Sequence, residues 1–258
     1  MAATQDELLA VALEAARAGA AELTSRFGHR QRDVRTKTGP TDPVSEADLA
    51  AERAIRDVLA ARRPNDTVIG EEGGAVHGPG ELRWYVDPLD GTVNFLYEIP
   101  MFAVSVACED ATGTLAGVVI DPIRDECFAA TQSSDGATLN GASIEGSSCT
   151  DLETALVATG FGYDASIRAA QASAVARVLP AVRDIRRAGA AALDLCWTAC
   201  GRFDAFYERG LKAWDMSAGA LICSRAGLSV RTLSATSEAQ AGVAAAPAAL
   251  IDGLVALL

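Results

Sequence analysis

Histidine is scarce in this sequence, and closely spaced cysteines are missing. The chain contains two histidines, His29 and His77, and none of its six cysteines stands in a Cys-x-x-Cys pair. Zinc sites built from cysteine and histidine depend on such neighbouring ligands, so a site of this kind is not expected. Six cysteines in 258 residues are also too few for a disulfide scaffold, and buried reduced thiols are the expected state.

Basic side chains are outnumbered by acidic ones. The sequence has 22 Lys and Arg against 34 Asp and Glu, which gives a formal net charge of −12. This balance argues against a broad basic surface for nucleic acid or for an anionic membrane. No apolar run reaches the length of a membrane span, and the N-terminal segment is acidic and amphipathic, unlike a targeting peptide. We therefore expect a cytoplasmic protein with no nucleic-acid or membrane partner.

The apolar spacing predicts two halves of different character. The first half shows helical periods at 5–27 and 44–62, a strand at 67–70, strand-like runs at 102–108, 115–120 and 126–131, and a hairpin at 136–141. The second half alternates strands and helices up to a final helix at 248–258, which is typical of a layered α/β arrangement. A Ser/Thr/Gly-rich stretch at 143–153 separates the two patterns. We predict an α+β half at 1–145 and an α/β half at 146–258, packed as one compact unit.

The segment from Asp87 to Thr92, Asp-Pro-Leu-Asp-Gly-Thr, stands out because apolar runs flank it on both sides. One interpretation is an ordinary surface turn rich in Asp and Gly. The flanks indicate instead a turn at the end of buried strands, where two carboxylates require cations. Gly91 would allow backbone N–H groups to approach a ligand closely. This combination suits a metal-bound phosphate.

Acidic residues at two further places could likewise be either ordinary surface residues or ligands of a cation. Glu71 and Glu72 follow an apolar strand, and in extended backbone only one of the pair can face a given site. The segment 75–81 after them is expected to be a mobile loop that could cover the site. Asp215 precedes a helix of small residues, where it could be only an N-cap. Lys37 and Asp48, taken alone, are typical of solvated residues in a loop and at a helix start.

Asp87-Pro88-Leu89-Asp90-Gly91-Thr92, preceded by Gly70-Glu71-Glu72 and followed by Trp214-Asp215-Met216-Ser217-Ala218-Gly219, resembles the inositol monophosphatase family of Mg²⁺-dependent, lithium-sensitive phosphatases. These motifs extend over nearly the whole chain in the family's order. The resemblance implies an α+β fold, the layered αβαβα sandwich of the inositol monophosphatase and fructose-1,6-bisphosphatase type. In so acidic a protein, bound cations would have to reverse the local field before a phosphate ester could bind.

The resemblance also implies the metal ligands. Glu71, Asp87 and the backbone carbonyl of Leu89 would hold a first Mg²⁺, and Asp87, Asp90 and Asp215 a second, with a third, weaker ion on Glu71. Two or three Mg²⁺ per site are therefore expected.

Catalytic roles come from the same resemblance. Glu71 with Thr92 would orient and deprotonate the attacking water. Asp48 would hydrogen-bond and polarise Thr92, and Lys37 would lie near the third metal site.

Substrate contacts follow from the resemblance as well. The N–H groups of Gly91 and Thr92 would bind phosphate oxygens at the start of a short helix, and Asp90 and Asp215 would also contact the substrate. Backbone at Ala190 and Ala191 and the carboxylate of Glu208 would recognise a polyol. Phe161 and Tyr163 lie where the family varies, which leaves the leaving group open.

Function is expected to be the hydrolysis of a phosphate monoester, with myo-inositol 1-phosphate as the first candidate. Histidinol phosphate, fructose 1,6-bisphosphate and 3′-phosphoadenosine 5′-phosphate are alternatives within the family. A non-catalytic interaction protein of a transcription complex is the alternative from another class. A homodimer and competition between Li⁺ and Mg²⁺ are expected from the resemblance alone.

Overall fold

The computed structural model describes residues 3–29, 34–36, 43–237 and 239–258. Within these ranges the helices are α1 (Gln5–Arg26), α2 (Glu46–Arg62), α3 (Thr92–Leu96), α4 (Ala165–Val178), α5 (Ala191–Ala199), α6 (Ala213–Arg225) and α7 (Ala248–Val255). The strands of the first half are β1 (Arg35–Thr36), β2 (Pro43–Val44), β3 (Thr67–Gly70), β4 (Gly74–Val76), β5 (Arg83–Asp90), β6 (Ala103–Asp110), β7 (Gly113–Asp121), β8 (Glu126–Thr131), β9 (Ala137–Leu139) and β10 (Ala142–Ile144). Those of the second half are β11 (Leu156–Thr159), β12 (Asp184–Arg186), β13 (Ala205–Arg209), β14 (Ser229–Leu233) and β15 (Gly242–Ala246).

The two N-terminal helices form the first layer. α1 begins at a capping box, in which Thr4 Oγ1 accepts the Glu7 N–H at 3.2 Å and Glu7 accepts the Thr4 N–H at 2.8 Å. Its buried stripe, which includes Leu8 and Leu23, packs with α2 against the first sheet. Fully burying a leucine side chain stabilises a fold by about 1.5–3 kcal/mol. The helices predicted at 5–27 and 44–62 are confirmed, with Ser45 as the N-cap of α2.

The first sheet has eight strands in the order β10-β9-β8-β7-β6-β5-β3-β4. All neighbours are antiparallel except β3 and β5, which run parallel. This confirms the predicted meander and hairpin, whose turn at Asn140 and Gly141 has positive φ at both residues. The segment 75–81 does not cover the strand ends that carry Glu71. Residues 75 and 76 belong to β4, and the Gly78 N–H donates to Thr67 Oγ1 at the opposite end of β3.

The second sheet has five strands in the order β12-β11-β13-β15-β14. β11 is parallel to both of its neighbours, whereas β15 is antiparallel to β13 and β14. α5 and α6 lie between the two sheets, and α4 and α7 cover the outer face of the second one. The layers are therefore α, β, α, β and α, as predicted. The division into halves at 145 and 146 stays a prediction, although the first sheet ends at Ile144 and the second begins at Leu156.

α6 lies directly on the first sheet at one point. A Cβ atom placed on Gly117 of β7 would stand 2.9 Å from Ala218 Cα of α6. Real Cβ atoms do not approach that closely, so the absence of a side chain at position 117 allows the helix to contact the strand backbone. Ala218 is in the second turn of α6, just after Asp215.

Candidate active site

A cleft of about 580 Å³ opens where β3 and β5 end and where α5 and α6 begin. Its walls carry the acidic side chains that the sequence singles out, namely Glu71, Asp87, Asp90, Glu208 and Asp215. Leu89, Gly91, Thr92 and Ala191 line the same cleft. The structure thus brings together residues that lie up to about 145 positions apart in the sequence.

Glu71 reaches the cleft because the backbone after β3 is held in place from below. Its N–H donates to Val86 O at 3.1 Å, which continues the β3–β5 pairing. The buried carboxylate of Glu52 on α2 then accepts the N–H groups of Glu72 and Gly73, each at 2.7 Å. Glu71 rather than Glu72 lines the cleft. This agrees with the expectation that only one glutamate of the pair can face the site.

The Asp-Pro-Leu-Asp segment is part of β5 and not the turn that the sequence suggests. Its pairing with β6 shifts register between Asp87 and Asp90, so that the strand bulges there. The Asp87 carboxylate accepts the Leu89 N–H at 3.0 Å. Gly91 follows with φ of 95°, a conformation that favours glycine, and caps α3. Asp87 and Asp90 are three positions apart and would point to opposite faces of a regular strand, so the bulge explains how both carboxylates reach the cleft.

Asp90 joins the first sheet to α5. Its two carboxylate oxygens accept the N–H groups of Ala191 at 3.1 Å and Ala192 at 2.6 Å, at the N-terminus of α5. A carboxylate is favoured there by the helix dipole. Burial raises the pKa of Asp90, the two N–H bonds lower it, and the nearby charge of Glu71 raises it again. The resulting pKa is about 7.

Asp215 stands in the first turn of α6, whose N-cap is Lys212. The Asp215 carboxylate accepts the Lys212 N–H at 2.7 Å. The sequence reading of Asp215 as an N-cap is therefore wrong by three positions, because the helix begins earlier than its small-residue stretch suggests. Thr92 is likewise the first residue of α3 and not its cap, since Gly91 occupies that position.

Three carboxylates form a tight cluster. Oxygen atoms of Glu71, Asp87 and Asp215 lie within 4.8 Å of one another. Burial raises the pKa of Asp87 well above its ordinary value, and the charges of Glu71, Asp90 and Asp215 raise it further. Burial also raises the pKa of Asp215 to about 8, with Glu71 and Asp90 adding to the effect against the Lys212 N–H.

Such a cluster fits a divalent cation. Carboxylates held this close repel one another when ionised, and burial removes the water that would screen them. A hard cation relieves both penalties, and oxygen ligands are the ones that Mg²⁺ prefers. Within the described part of the chain, the candidate metal ligands are all carboxylates.

Thr92 forms a hydrogen-bonded pair with Asp48 across two elements. Its hydroxyl lies 2.9 Å from Asp48 Oδ1, and the other Asp48 oxygen accepts the N–H and the hydroxyl of Ser45 at 2.8 and 2.6 Å. Asp48 is fully buried. The contact that the family resemblance implies between these two residues is therefore present. Lys37, the other residue weighed with Asp48, lies outside the described residues.

Residues from the second half of the chain form the wall of the cleft opposite the first sheet's acidic residues, with Glu208 as the acidic side chain on β13. Glu208 on β13 is buried, and burial together with the charges of Asp194 and Asp90 raises its pKa well above the ordinary value. Gly160 packs on it, since a Cβ there would stand 2.1 Å from Glu208 Oε2. Ala191 lines the cleft but donates its N–H to Asp90, and Ala190 is buried behind it. Phe161 and Tyr163 line the mouth.

Sequence reasoning missed Glu52, Lys212 and Asp194. Glu52 lies on a helix face where a glutamate is ordinarily solvated, and no local signal distinguishes it. Lys212 lines the cleft as the N-cap of α6, so its spacing from Asp215 could have indicated it. Asp194 is fully buried. Burial and the charge of Asp90 raise its pKa, whereas the charge of Arg187 and the Gly189 N–H lower it. Its place in a continuous apolar helix could have indicated an unusual carboxylate.

Comparisons with known proteins agree on one family. A model of the inositol monophosphatase family matches residues 4–258. The inositol-1-monophosphatase SuhB of Mycobacterium tuberculosis is 44% identical over 248 residues, which cover 91% of this chain and 84% of that protein. The Nus factor SuhB of Escherichia coli is 39% identical over 222 residues, 85% of this chain and 83% of that protein. A crystal structure of the extragenic suppressor protein SuhB from Bartonella henselae matches with a TM-score of 0.88 at 34% identity, covering 97% of both chains.

Proposed function

This chain belongs to the inositol monophosphatase family, whose members hydrolyse phosphate monoesters, and from that membership and the cleft we propose that it hydrolyses myo-inositol 1-phosphate with Mg²⁺. The observation that carries the proposal is the carboxylate cluster of Glu71, Asp87 and Asp215 beside the Thr92–Asp48 pair. Helices among the described residues are too short or too polar to span a bilayer.

We assign the cation ligands to Glu71, Asp87, Asp215, Asp90 and the Leu89 carbonyl. Bound Mg²⁺ supplies Lewis-acid activation of a water molecule and compensates the charge that develops on the leaving oxygen. The count of two or three ions is part of the proposal. Both Asp90 oxygens accept N–H groups of α5, so Asp90 can bind a cation only through its remaining lone pairs. The same two hydrogen bonds hold the start of α5 beside the metal cluster.

We assign proton transfer to Glu71 and Thr92. The Thr92 hydroxyl donates its only proton to Asp48 or to the Leu89 carbonyl, at 2.9 and 3.1 Å, so its lone pairs are left for a water proton. Glu71 accepts the second proton of the attacking water as general base. The Gly91 and Thr92 N–H groups, at the start of α3, then hold phosphate oxygens because they have no acceptor within the helix.

We assign leaving-group recognition to the Glu208 carboxylate. Ring hydroxyls of a polyol can donate to it, and an ester without hydroxyls would leave this buried acid unpaired. The carboxyl ends of β11 and β13 bring Gly160 and Glu208 to the same side of the cleft. This placement supports a hydroxylated leaving group over an apolar one.

The test is phosphate release from a substrate panel with Mg²⁺. We expect preference for myo-inositol 1-phosphate over histidinol phosphate, fructose 1,6-bisphosphate and 3′-phosphoadenosine 5′-phosphate. Asp87→Asn should remove nearly all activity, whereas the exposed Asp57→Asn on α2 should leave it unchanged. Preference for another ester would overturn the inositol assignment, and full activity of Asp87→Asn would overturn the metal site.

A second candidate function is an interaction role in a transcription complex, which the Escherichia coli relative's name supports. It is separated from catalysis by Asp90→Asn, tested for phosphate release and for complementation of a strain lacking the gene. Retained complementation without turnover would favour the interaction role. Loss of both would favour catalysis, provided that the variant melts within a few degrees of the parent chain.

Two family properties remain part of the proposal. We expect Li⁺ to inhibit by competing at a Mg²⁺ site, and turnover unchanged by millimolar lithium would contradict this. We also expect a homodimer, which is supported by apolar side chains exposed on the connection after α3, where Tyr97 is 76% exposed. Sedimentation as a monomer at micromolar concentration would contradict the dimer.

A further inference from the structure

The wall of the catalytic cleft that carries Glu208 also carries a cationic side chain, Arg187. This residue lies between β12 and α5, is exposed, and lines the cleft. Within the part of the chain that the structure describes, no residue accepts a hydrogen bond from its guanidinium. A guanidinium carries several N–H donors in one plane. Those of Arg187 are therefore available to a ligand in the cleft.

The main chain is held in place on both sides of Arg187. Arg186 is the last residue of β12 and pairs with Ala158 of β11. On the other side, the Ala188 carbonyl accepts a hydrogen bond from Asn94 Nδ2 at 2.8 Å. Recognition is precise when a side chain projects from backbone that its neighbours fix. Arg187 meets this condition although it lies in a connection between two elements.

The Arg187 side chain folds back over Gly189. A Cβ atom at position 189 would stand 2.3 Å from Arg187 Nη1. Gly189 has φ of 89°, a conformation that favours glycine, and it lines the same cleft. The guanidinium thus occupies the space that a side chain at position 189 would fill, at the wall of the cleft.

Two acidic side chains lie near this guanidinium. Burial is the main cause of the raised pKa of Glu208, and the charge of Arg187 lowers it. Burial likewise raises the pKa of Asp194, and the charge of Arg187 lowers that pKa as well. Glu208 lines the cleft, whereas Asp194 is fully buried. A ligand in the cleft therefore meets Arg187 and Glu208 on one wall.

An acid and a guanidinium on one wall select a pattern of hydroxyl groups. A carboxylate only accepts hydrogen bonds and a guanidinium only donates them, whereas a hydroxyl group can do both. Adjacent hydroxyls of a polyol can therefore donate to Glu208 and accept from Arg187. A second phosphate would be placed beside Glu208 and Asp194, and like charges brought together in an interface are strongly disfavoured.

We propose that Arg187 is a specificity-determining residue, which donates to one hydroxyl of the leaving polyol while Glu208 accepts from the next. This inference rests on the proposed function, since it concerns the leaving group of that reaction. The substrate class that follows is a phosphate ester of a polyol with free hydroxyls on adjacent carbon atoms.

The test is steady-state phosphate release by the full-length, Mg²⁺-loaded protein with myo-inositol 1-phosphate. We expect Arg187→Met to raise KM about tenfold, the scale of one hydrogen bond to a charged group, with kcat nearly unchanged. Inorganic phosphate has no leaving group, so its inhibition constant should be the same in the variant and the parent chain. Arg187→Lys keeps a cationic donor and should raise KM less than Arg187→Met does.

Arg186→Met is the matched control. It removes the neighbouring arginine, which is exposed and pairs with Asp184 at 2.6 Å. KM, kcat and the inhibition by inorganic phosphate should all stay at the values of the parent chain. An increase in KM equal to that of Arg187→Met would show a general effect of charge and overturn the proposal.

A double variant separates direct contact from an effect through Glu208. Arg187→Met combined with Glu208→Gln should have a higher KM than Glu208→Gln alone, because each residue contacts its own hydroxyl. Equal KM values in these two proteins would mean that Arg187 acts only through Glu208. That result would overturn the direct contact.

The remaining outcomes distinguish this proposal from the proposed function. An unchanged KM in Arg187→Met, in a parent chain that prefers myo-inositol 1-phosphate, would overturn the role of Arg187 alone. Preference of the parent chain for an ester without hydroxyls would overturn the proposed function as well. Weaker inhibition by inorganic phosphate in Arg187→Met would place the defect at the metal cluster and overturn the recognition role. A larger increase in KM for fructose 1,6-bisphosphate than for myo-inositol 1-phosphate would assign the guanidinium to a second phosphate and overturn the hydroxyl contact.

Discussion

The Thr92 hydroxyl and the Asp48 carboxylate lie 2.9 Å apart, although 44 positions separate them in the sequence. Asp48 belongs to the first turn of α2, where Ser45 holds its second oxygen. The orientation of Thr92 at the catalytic cleft is therefore set by the start of a helix in the first layer. A carboxylate with one oxygen fixed by a cap has little freedom to turn the other away.

The Thr92–Asp48 pair predicts a graded loss of turnover. Thr92→Val should lower kcat by about 10²- to 10³-fold with KM nearly unchanged, since proton transfer by a positioned group contributes on this scale. Asp48→Asn should cost less, because an amide oxygen can still accept the Thr92 proton. The measurement is steady-state phosphate release, together with Mg²⁺ titration to exclude a metal effect.

Ser45→Ala is the matched control for that experiment. It removes the α2 cap and the hydroxyl bond to Asp48, and it should cost about 1 kcal/mol of stability. The Ser45 N–H still donates to the second Asp48 oxygen, so Asp48 should stay beside Thr92. Turnover close to that of the parent chain is expected. If Ser45→Ala reduced kcat as much as Asp48→Asn, the effect would be one of helix stability rather than of the pair.

Glu52 is predicted to position Glu71 without touching the substrate. Its carboxylate accepts the N–H groups of Glu72 and Gly73 and pairs with Arg56 at 2.7 Å. Glu52→Gln places an amide group against an N–H donor, so the backbone beside Glu71 should shift. We expect the Mg²⁺ concentration for half-maximal activity to rise about tenfold, as with other supporting groups of metal ligands.

The activity of Glu52→Gln should be largely restored at saturating Mg²⁺, which would not happen if the variant had lost a catalytic group. Glu46→Gln, exposed in the first turn of the same helix, is the control and should leave the Mg²⁺ dependence unchanged. An unchanged Mg²⁺ dependence in Glu52→Gln would show that Glu71 does not rely on this support.

The acidic cluster predicts an inverted pH dependence of stability in protein stripped of divalent ions. The folded-state pKa values of Asp90 and Asp215 are raised to about 7 and about 8, above the ordinary value of an aspartate. Their contribution to stability is therefore fully present below pH of about 4 and is lost as the pH rises through these values.

Mg²⁺ should then stabilise the protein more at pH 8 than at pH 5, because the ion competes with protons for the same oxygens. Thermal unfolding with EDTA and with Mg²⁺ measures this, and each 1 kcal/mol corresponds to a shift in Tm of about 2–4 °C for a chain of this size. Asp215→Asn should reduce both the pH dependence and the Mg²⁺ effect. Equal Mg²⁺ stabilisation at the two pH values would contradict the prediction.

Gly160→Ala is predicted to weaken substrate recognition while sparing the metal site. The added Cβ would stand 2.1 Å from Glu208 Oε2, so this carboxylate must move. We expect KM for myo-inositol 1-phosphate to rise about tenfold or more, given the cost of leaving a substrate hydroxyl unpaired. In Gly162→Ala the nearest atom to the added Cβ is the Ile167 Cγ2 methyl, at 3.1 Å, so the effect should be smaller. An unchanged KM in both variants would remove Glu208 from recognition.

Sequence reasoning succeeded where a local pattern has a single physical meaning. The period of α1 indicated which of its residues are buried. The alternation around Glu71 and Glu72 indicated that only one of the two glutamates faces the cleft, and the family resemblance indicated Glu71. The layered architecture followed from the family motifs. The roles of the individual ligands in catalysis remain predictions.

Sequence reasoning failed where the outcome depends on contacts between distant elements. The segment at Asp87 reads as a turn because Pro and Gly are typical of turns, but pairing with β6 keeps it in a bulged strand. Glu52 is typical of a solvated helix residue paired with Arg56, because the two N–H groups that it accepts, those of Glu72 and Gly73, are 20 and 21 positions away. Nothing along the chain alone indicates that a backbone N–H will lie beside it.

The bare contact between Gly117 and Ala218 ties the sheet to the metal cluster. A methyl group at position 117 would stand 2.9 Å from Ala218 Cα, so β7 or α6 would have to move. Asp215 lies one turn earlier on α6 and would move with the helix. Substitution of a glycine that touches no residue of the cleft should therefore disturb the cleft from a distance.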